Sequence, residues 1–219
     1  MMLASIIPSE SRLKRSLMFN AQCSMLNVQC SMFNVQCSMF NDKNMENFAD
    51  LISRRRSIRT FTPEKLDPED VKLLLRAALI SPSSKGMHSY EFVVVEDPQM
   101  LQALSQCKAQ GADFLAGAPF AIVVLADPAV SDVWIEDASV AATHILLQAE
   151  DLGLGACWIQ VRSRYTADER NAESIVCKLL NIPEERGVVC IVAVGHKGME
   201  RKPQNEEKLR WERVHIGQY

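Results

Sequence analysis

Arg54-Arg55-Arg56-Ser57-Ile58-Arg59 sets four guanidinium groups within six residues. Planar guanidinium forks match the spacing of phosphate oxygens, and the Ser57 hydroxyl adds a donor, so the stretch reads as a phosphate clamp. A terminal phosphate carries a charge of about −1.5 to −2, which two or three of these arginines neutralise. The remainder must point elsewhere. The competing reading is a solvated basic turn, but no acidic residue stands among the arginines to balance them.

Working outward, Glu46 to Ser53 reads as a short helix that delivers the clamp. On the other side, Asp67 offers an N-cap, Pro68 fits the first helical position, and Val71, Leu74, Leu75, Ala78 and Leu79 form one apolar face, which predicts a helix over 68–80. Ser81 to Gly86 breaks it as a loop. Phe92 to Val95 is an apolar strand, and Asp97-Pro98 opens a helix through about Gln110. Phe120 to Leu125 is a second buried strand.

Trp134 to Leu152 is the longest predicted helix, and its apolar residues occupy more than one face, as expected of a helix buried in something larger than its own domain surface. Ala156 to Val161 and Val188 to Gly195 supply two more strands, with a helix over Glu169 to Leu180 between them. The tail from His196 to Tyr219 is charged but carries Trp211, Val214, Ile216 and Tyr219. Alternating helices and strands leave both α/β and α+β open.

Composition bounds the function. With 47% apolar and 23% charged residues in 219, the chain has an ordinary globular balance. A net charge of −3 offers no general field for nucleic acid, so no nucleic-acid partner is expected. No apolar run approaches the ~20 residues that cross a bilayer, and the basic start (Arg12, Lys14, Arg15) lacks a continuous apolar region behind it, so neither a membrane nor a secretory route is expected. The seven cysteines include no C-x-x-C pair. Cys107, Cys157, Cys177 and Cys190 fall in predicted helices or strands, which reads as buried thiols of a cytoplasmic protein. No metal-ligand spacing is present.

Residues 20–41 repeat with period seven: Asn-Ala-Gln-Cys-Ser-Met-Leu, then Asn-Val-Gln-Cys-Ser-Met-Phe twice. Val28, Met32, Val35 and Met39 would share a helical seam, but the flanking charges of a coiled coil are missing. The copying suggests a repeated DNA segment read as protein, with translation starting near Met45. We therefore expect two parts: 1–44 as a disordered or non-native extension, and 45–219 as the domain.

Three stretches together resemble the nitroreductase family: Arg-Arg-Ser-Ile-Arg-x-Phe (Arg55 to Phe61), the Ser-Pro-Ser-Ser loop running into an apolar strand (Ser81 to Val95), and Gly-Leu-Gly-Ala-Cys-Trp-Ile (Gly153 to Ile159). They occur in order over a match covering about Met45 to Tyr219. The resemblance implies an α+β nitroreductase-like fold, with a central mixed, mainly antiparallel sheet flanked by helices. It also implies a homodimer with C-terminal exchange and one FMN in each interface cleft. Arg55, Ser57 and Arg59 would hold the ribityl phosphate and the pyrimidine side of the flavin, with Arg56 at a variable position of the motif. Pro82, Ser83, Ser84, Lys85, Gly86 and His88 would lie against the flavin from the partner subunit. The backbone around Ile159 and Gln160, beside Trp158, would face its reactive edge. Arg201 and Lys202 would complete the phosphate site.

The sequence departs from the family pattern in the loop. Gly86 stands where Asn is usual, His88 where Gln is, Ser89 where Pro is, and Tyr90 where Trp is. The resemblance implies hydride transfer from NADH or NADPH through FMN to nitroaromatics, quinones or similar electron-poor acceptors in a ping-pong cycle. Flavin N5 carries that chemistry, so no catalytic side chain is required; His88 is the one candidate for an added role. His144, His196 and His215, with Trp134 and Trp211, read as structural. The alternatives are other flavin chemistry, such as dehalogenation or flavin breakdown, and a flavin-binding module without turnover.

Overall fold

A computed structural model describes residues 47–219. The repeat at 20–41 and the expected start near Met45 lie outside the described residues. Asn47 caps helix α1 (Phe48–Arg54), its side chain accepting from the Ala49 amide at 3.2 Å. Helix α2 (Pro68–Leu79) starts as the sequence predicts, with Asp67 accepting from the Glu69 amide at 2.8 Å, and buries Leu74 and Ala78 completely. Strand β1 covers Tyr90–Val95, two residues longer at its start than the apolar run alone suggests.

Two helices are shorter than expected. Helix α3 (Pro98–Leu104) stops well before Gln110. There the Ser105 hydroxyl bonds the Gln102 carbonyl at 2.8 Å, and Cys107 is drawn fully into the core. Helix α5 (Ala172–Leu180) starts three residues after Glu169. Glu169 takes a left-handed φ of 61° in a turn closed by the Thr166 amide on the Arg170 carbonyl, and Asn171 then caps the Glu173 and Ser174 amides. Between them lie β2 (Phe120–Ala126), α4 (Trp134–Asp151) and β3 (Gly155–Gln160), and β4 (Gly187–Gly195) follows.

The strands form one sheet in the order β1-β2-β4-β3, and every ladder is antiparallel. That settles the fold as α+β. Among the described residues the parallel component is a single bridge from Ser57 to Ala156 at the outer edge of β3. Period-two alternation sends Ala121, Val123 and Leu125 to one face of the sheet and Phe120, Ile122 and Val124 to the other. Helices α3 and α5 cover the first face, α2 and α4 the second.

Gly155 and Gly195 sit opposite one another in the β3–β4 ladder. A Cβ on Gly155 would lie 2.7 Å from Ile58, and one on Gly195 2.7 Å from the Pro119 ring. Bare backbone at this end of the sheet is therefore what lets the segment after α1 lie across it. Gly195→Ala is expected to cost about 1–3 kcal/mol through overpacking, read as a lower urea midpoint with an unchanged slope. An unchanged midpoint would show that Pro119 can yield.

Candidate functional site

The chain leaves α1 at Arg55, whose amide still bonds the Leu51 carbonyl at 2.9 Å, and runs extended past β3. The Ile58 amide donates to the Ala156 carbonyl at 3.0 Å, and the Ile58 side chain is buried. In extended chain, neighbours of an inward residue face the opposite way, so Ser57 and Arg59 share a side. Both act on Cys157 of β3. Burial pushes its thiol up, while Arg59, a hydrogen bond with Ser57, Arg55 and Lys108 pull it down. The arginine motif and the third glycine-rich motif, far apart in sequence, thus meet around one buried sulfur.

Among the described residues, no carboxylate forms an ion pair with Arg55 or Arg59. The Arg59 guanidinium lies 5.8 Å from the centroid of the Phe114 ring. Arg56 turns away from this cluster: it donates to the carbonyls of Lys202 and Pro203. With the Gln204 amide bonding the Ser53 carbonyl at 2.8 Å, this laces the tail to the end of α1 and brings the exposed Arg201–Lys202 pair beside it.

Lys108 is a participant that sequence reasoning missed. Its amine donates to the Gln160 carbonyl at 3.0 Å, and burial lowers its pKa. The available signal was weak: a lysine beside Cys107 in a stretch of mixed polarity. Gln160 is also tied through its side chain, accepting from the Trp158 indole at 2.9 Å and donating to the Arg162 carbonyl at 3.0 Å. Ile159 is buried in the core on the α3 and α5 side.

The loop after α2 is built on different supports. Lys85, Gly86 and His88 adopt left-handed φ angles of 53°, 67° and 45°. Asp137 of α4 is buried, accepts from the Ser84 amide at 2.8 Å and from the Ser131 hydroxyl at 3.0 Å, and so fixes the loop from beneath. This residue too was missed, although its four-residue spacing from Ala141 places a carboxylate in the apolar stripe of α4. The Ser83 hydroxyl accepts from the His88 amide at 2.9 Å. Ser81 is buried and pairs with His144 at 2.8 Å, which gives that histidine the structural role expected of it. Pro82, Lys85, Gly86 and His88 are exposed, and Ser83 and Ser84 half-buried.

Among the described residues, no hydrogen bond or ion pair joins Pro82–His88 to Arg55, Ser57 or Arg59. Within one chain the loop and the arginine cluster are thus held by different partners. Trp134 packs against Gly187 as expected, whereas Trp211 is 71% exposed and Ile216 is 96% exposed in the tail, contrary to the packing role expected of Trp211. Among the described residues there is no group of potential metal ligands, and no helix is long and apolar enough to cross a membrane.

Comparison with known proteins bears on this arrangement. The Nitroreductase family model matches residues 52–112 and 104–196. A protein of Archaeoglobus fulgidus named as an NADH dehydrogenase/NAD(P)H nitroreductase is 35% identical over 176 residues, covering 78% of this chain and 98% of its own. An NADPH-flavin oxidoreductase of Vibrio harveyi is 27% identical over 179 residues, covering 75% of this chain and 71% of its own. Among solved structures, an FMN-dependent nitroreductase of Clostridium difficile superposes with a TM-score of 0.76 at 44% identity, covering 77% of this chain and 98% of that one. The chain belongs to the nitroreductase family.

Proposed function

We propose that residues 45–219 form a homodimeric enzyme that binds FMN through Arg55, Ser57 and Arg59, takes electrons from NADH or NADPH, and passes them to quinones, nitroaromatics or similar electron-poor acceptors. The protein is an FMN-dependent oxidoreductase with NAD(P)H as donor. The observation that carries the residue assignment is the surplus of positive charge: Arg55 and Arg59 converge on β3 with no carboxylate partner among the described residues. A phosphate fits that surplus, and Arg201 and Lys202, on the tail tied to the end of α1, would add to it. Bound FMN supplies the two-electron chemistry.

The protein's own groups bind and orient. Lys108 fixes the Gln160 carbonyl, which sets the plane of the peptide at the end of β3. That no hydrogen bond or ion pair joins the loop to the arginine cluster among the described residues supports a shared cleft, in which Pro82–His88 of one subunit borders the FMN held by the other. The exposed Trp211 and Ile216 support an exchanged tail. A Rossmann glycine signature is absent from the sequence, which supports transient donor binding and a ping-pong cycle. The buried, unpaired thiols among the described residues support a cytoplasmic setting.

One observation favours a second reading. Gly86 removes the side chain that usually hydrogen-bonds the cofactor, which suits a flavin-binding module without turnover. Purification decides between these readings. We expect yellow protein releasing FMN by mass, a sedimentation mass near twice 24.5 kDa, and NAD(P)H oxidation with a quinone. Colourless single-subunit protein that ignores added FMN would overturn the proposal; yellow protein that reduces no acceptor would favour the binding module.

A further inference from the structure

The loop over α4 contains a short hydrogen-bond chain whose proton positions follow by elimination. The Tyr90 hydroxyl lies 2.5 Å from the Ser81 carbonyl oxygen, 3.3 Å from the Leu79 carbonyl and 2.7 Å from Nδ1 of His88. Carbonyl oxygens only accept, so the single phenolic proton is committed to Ser81. The phenolic oxygen is then an acceptor toward His88, and Nδ1 must carry the hydrogen between them. This fixes the imidazole in its Nδ1–H form and leaves Nε2 facing away. Among the described residues nothing bonds Nε2, and His88 is exposed.

The rest of the loop holds the ring in that pose. The His88 backbone is left-handed at φ 45°, its amide is tied to the Ser83 hydroxyl at 2.9 Å, and its ring stands edge-on to Tyr90 at 5.6 Å between centroids. Tyr90 is itself buried, and burial, with the nearby Asp137 carboxylate adding to it, raises its pKa, so the phenol stays neutral and remains a fixed platform. Preorganisation of this kind marks a group built to meet a ligand rather than one free in solvent.

We propose that His88 presents Nε2 to the electron acceptor and delivers the proton that completes reduction of its oxygen. The inference rests on the reading that this loop borders the FMN site. Converting a quinone to a hydroquinone takes one hydride and one proton. The FMN-dependent activity supplies the hydride and its two electrons; the imidazolium form of His88, which carries a hydrogen on each nitrogen, loses the one at Nε2 as an O–H bond forms on the acceptor, and the ring is left as the neutral Nδ1–H form. Water then returns a proton to the exposed ring. Tyr90 accepts from Nδ1–H throughout, so the ring cycles without rotating. A glutamine at this position would hydrogen-bond but has no proton to release, which is why His88→Gln isolates the proton transfer.

Two measurements on the FMN-loaded protein test the proposal. Nitrogen NMR of the imidazole should place the proton of neutral His88 on Nδ1, and Tyr90→Phe should return it to Nε2, the form unconstrained histidine prefers. In His88→Gln, the ratio of quinone reduction to ferricyanide reduction should fall about 10²-fold, because ferricyanide takes electrons without forming an O–H bond. An Nε2–H tautomer in the unaltered protein, or an equal loss with both acceptors, overturns the proposal while leaving the FMN site intact. Failure of the unaltered protein to bind FMN or to reduce either acceptor removes the reading beneath it as well.

Discussion

Arg55→Ala is expected to raise the dissociation constant for FMN about 10²-fold. A hydrogen bond to a charged group contributes roughly 1.5–3 kcal/mol, and each 1.4 kcal/mol is about tenfold in affinity. Arg55 has no carboxylate among the described residues to engage it, so its charge is available to a phosphate without first breaking an ion pair. Arg56→Ala is the internal control. That side chain is committed to the carbonyls of Lys202 and Pro203, so its loss should loosen the tail while changing FMN affinity by no more than about threefold. Titration of FMN onto the apoprotein, followed by flavin fluorescence, measures both. Equal losses in the two variants would show that the clamp lies elsewhere.

Lys197→Met should be the most destabilising exchange near the site. Glu150 lies one residue from the C-terminal end of α4, where the helix dipole disfavours negative charge, and its side chain is only 8% exposed. Lys197, just after β4, supplies the balance at 3.0 Å and is itself 19% exposed. Removing one member of a buried pair leaves the other charge uncompensated and costs about 3–5 kcal/mol. The same lysine forms a backbone bridge to Phe61, so the segment bearing Arg59 should loosen as well. Adding Glu150→Gln to Lys197→Met should restore more than half of the loss in a chemical unfolding series. A single variant as stable as the parent, or a double variant no better than the single, would show that the pair is energetically idle.

The sequence was legible where one local signal was strong. Asp67-Pro68 announced α2 and the unbroken apolar run announced β2, and both start where expected. It was less legible where side chains overrode the pattern: Ser105 ended α3 early, and a left-handed Glu169 delayed α5. The choice between α/β and α+β came only through the family resemblance and not from the order of elements, because strand direction depends on pairings between distant segments such as β2 with β4. The arginine motif pointed to a cluster, and Arg55, Ser57 and Arg59 do converge. Their meeting point at Cys157, the lysine at 108 and the buried Asp137 beneath the loop each depend on tertiary approach, which no spacing rule reports.

The described cysteines have a practical consequence. Cys107, Cys157, Cys177 and Cys190 are all buried and unpaired, and burial raises the pKa of each, so each rests as the unreactive thiol. An alkylating reagent can reach them only when the surrounding layer parts. Their modification rates are therefore a clock, already installed in the chain, for how often each side of the sheet breathes.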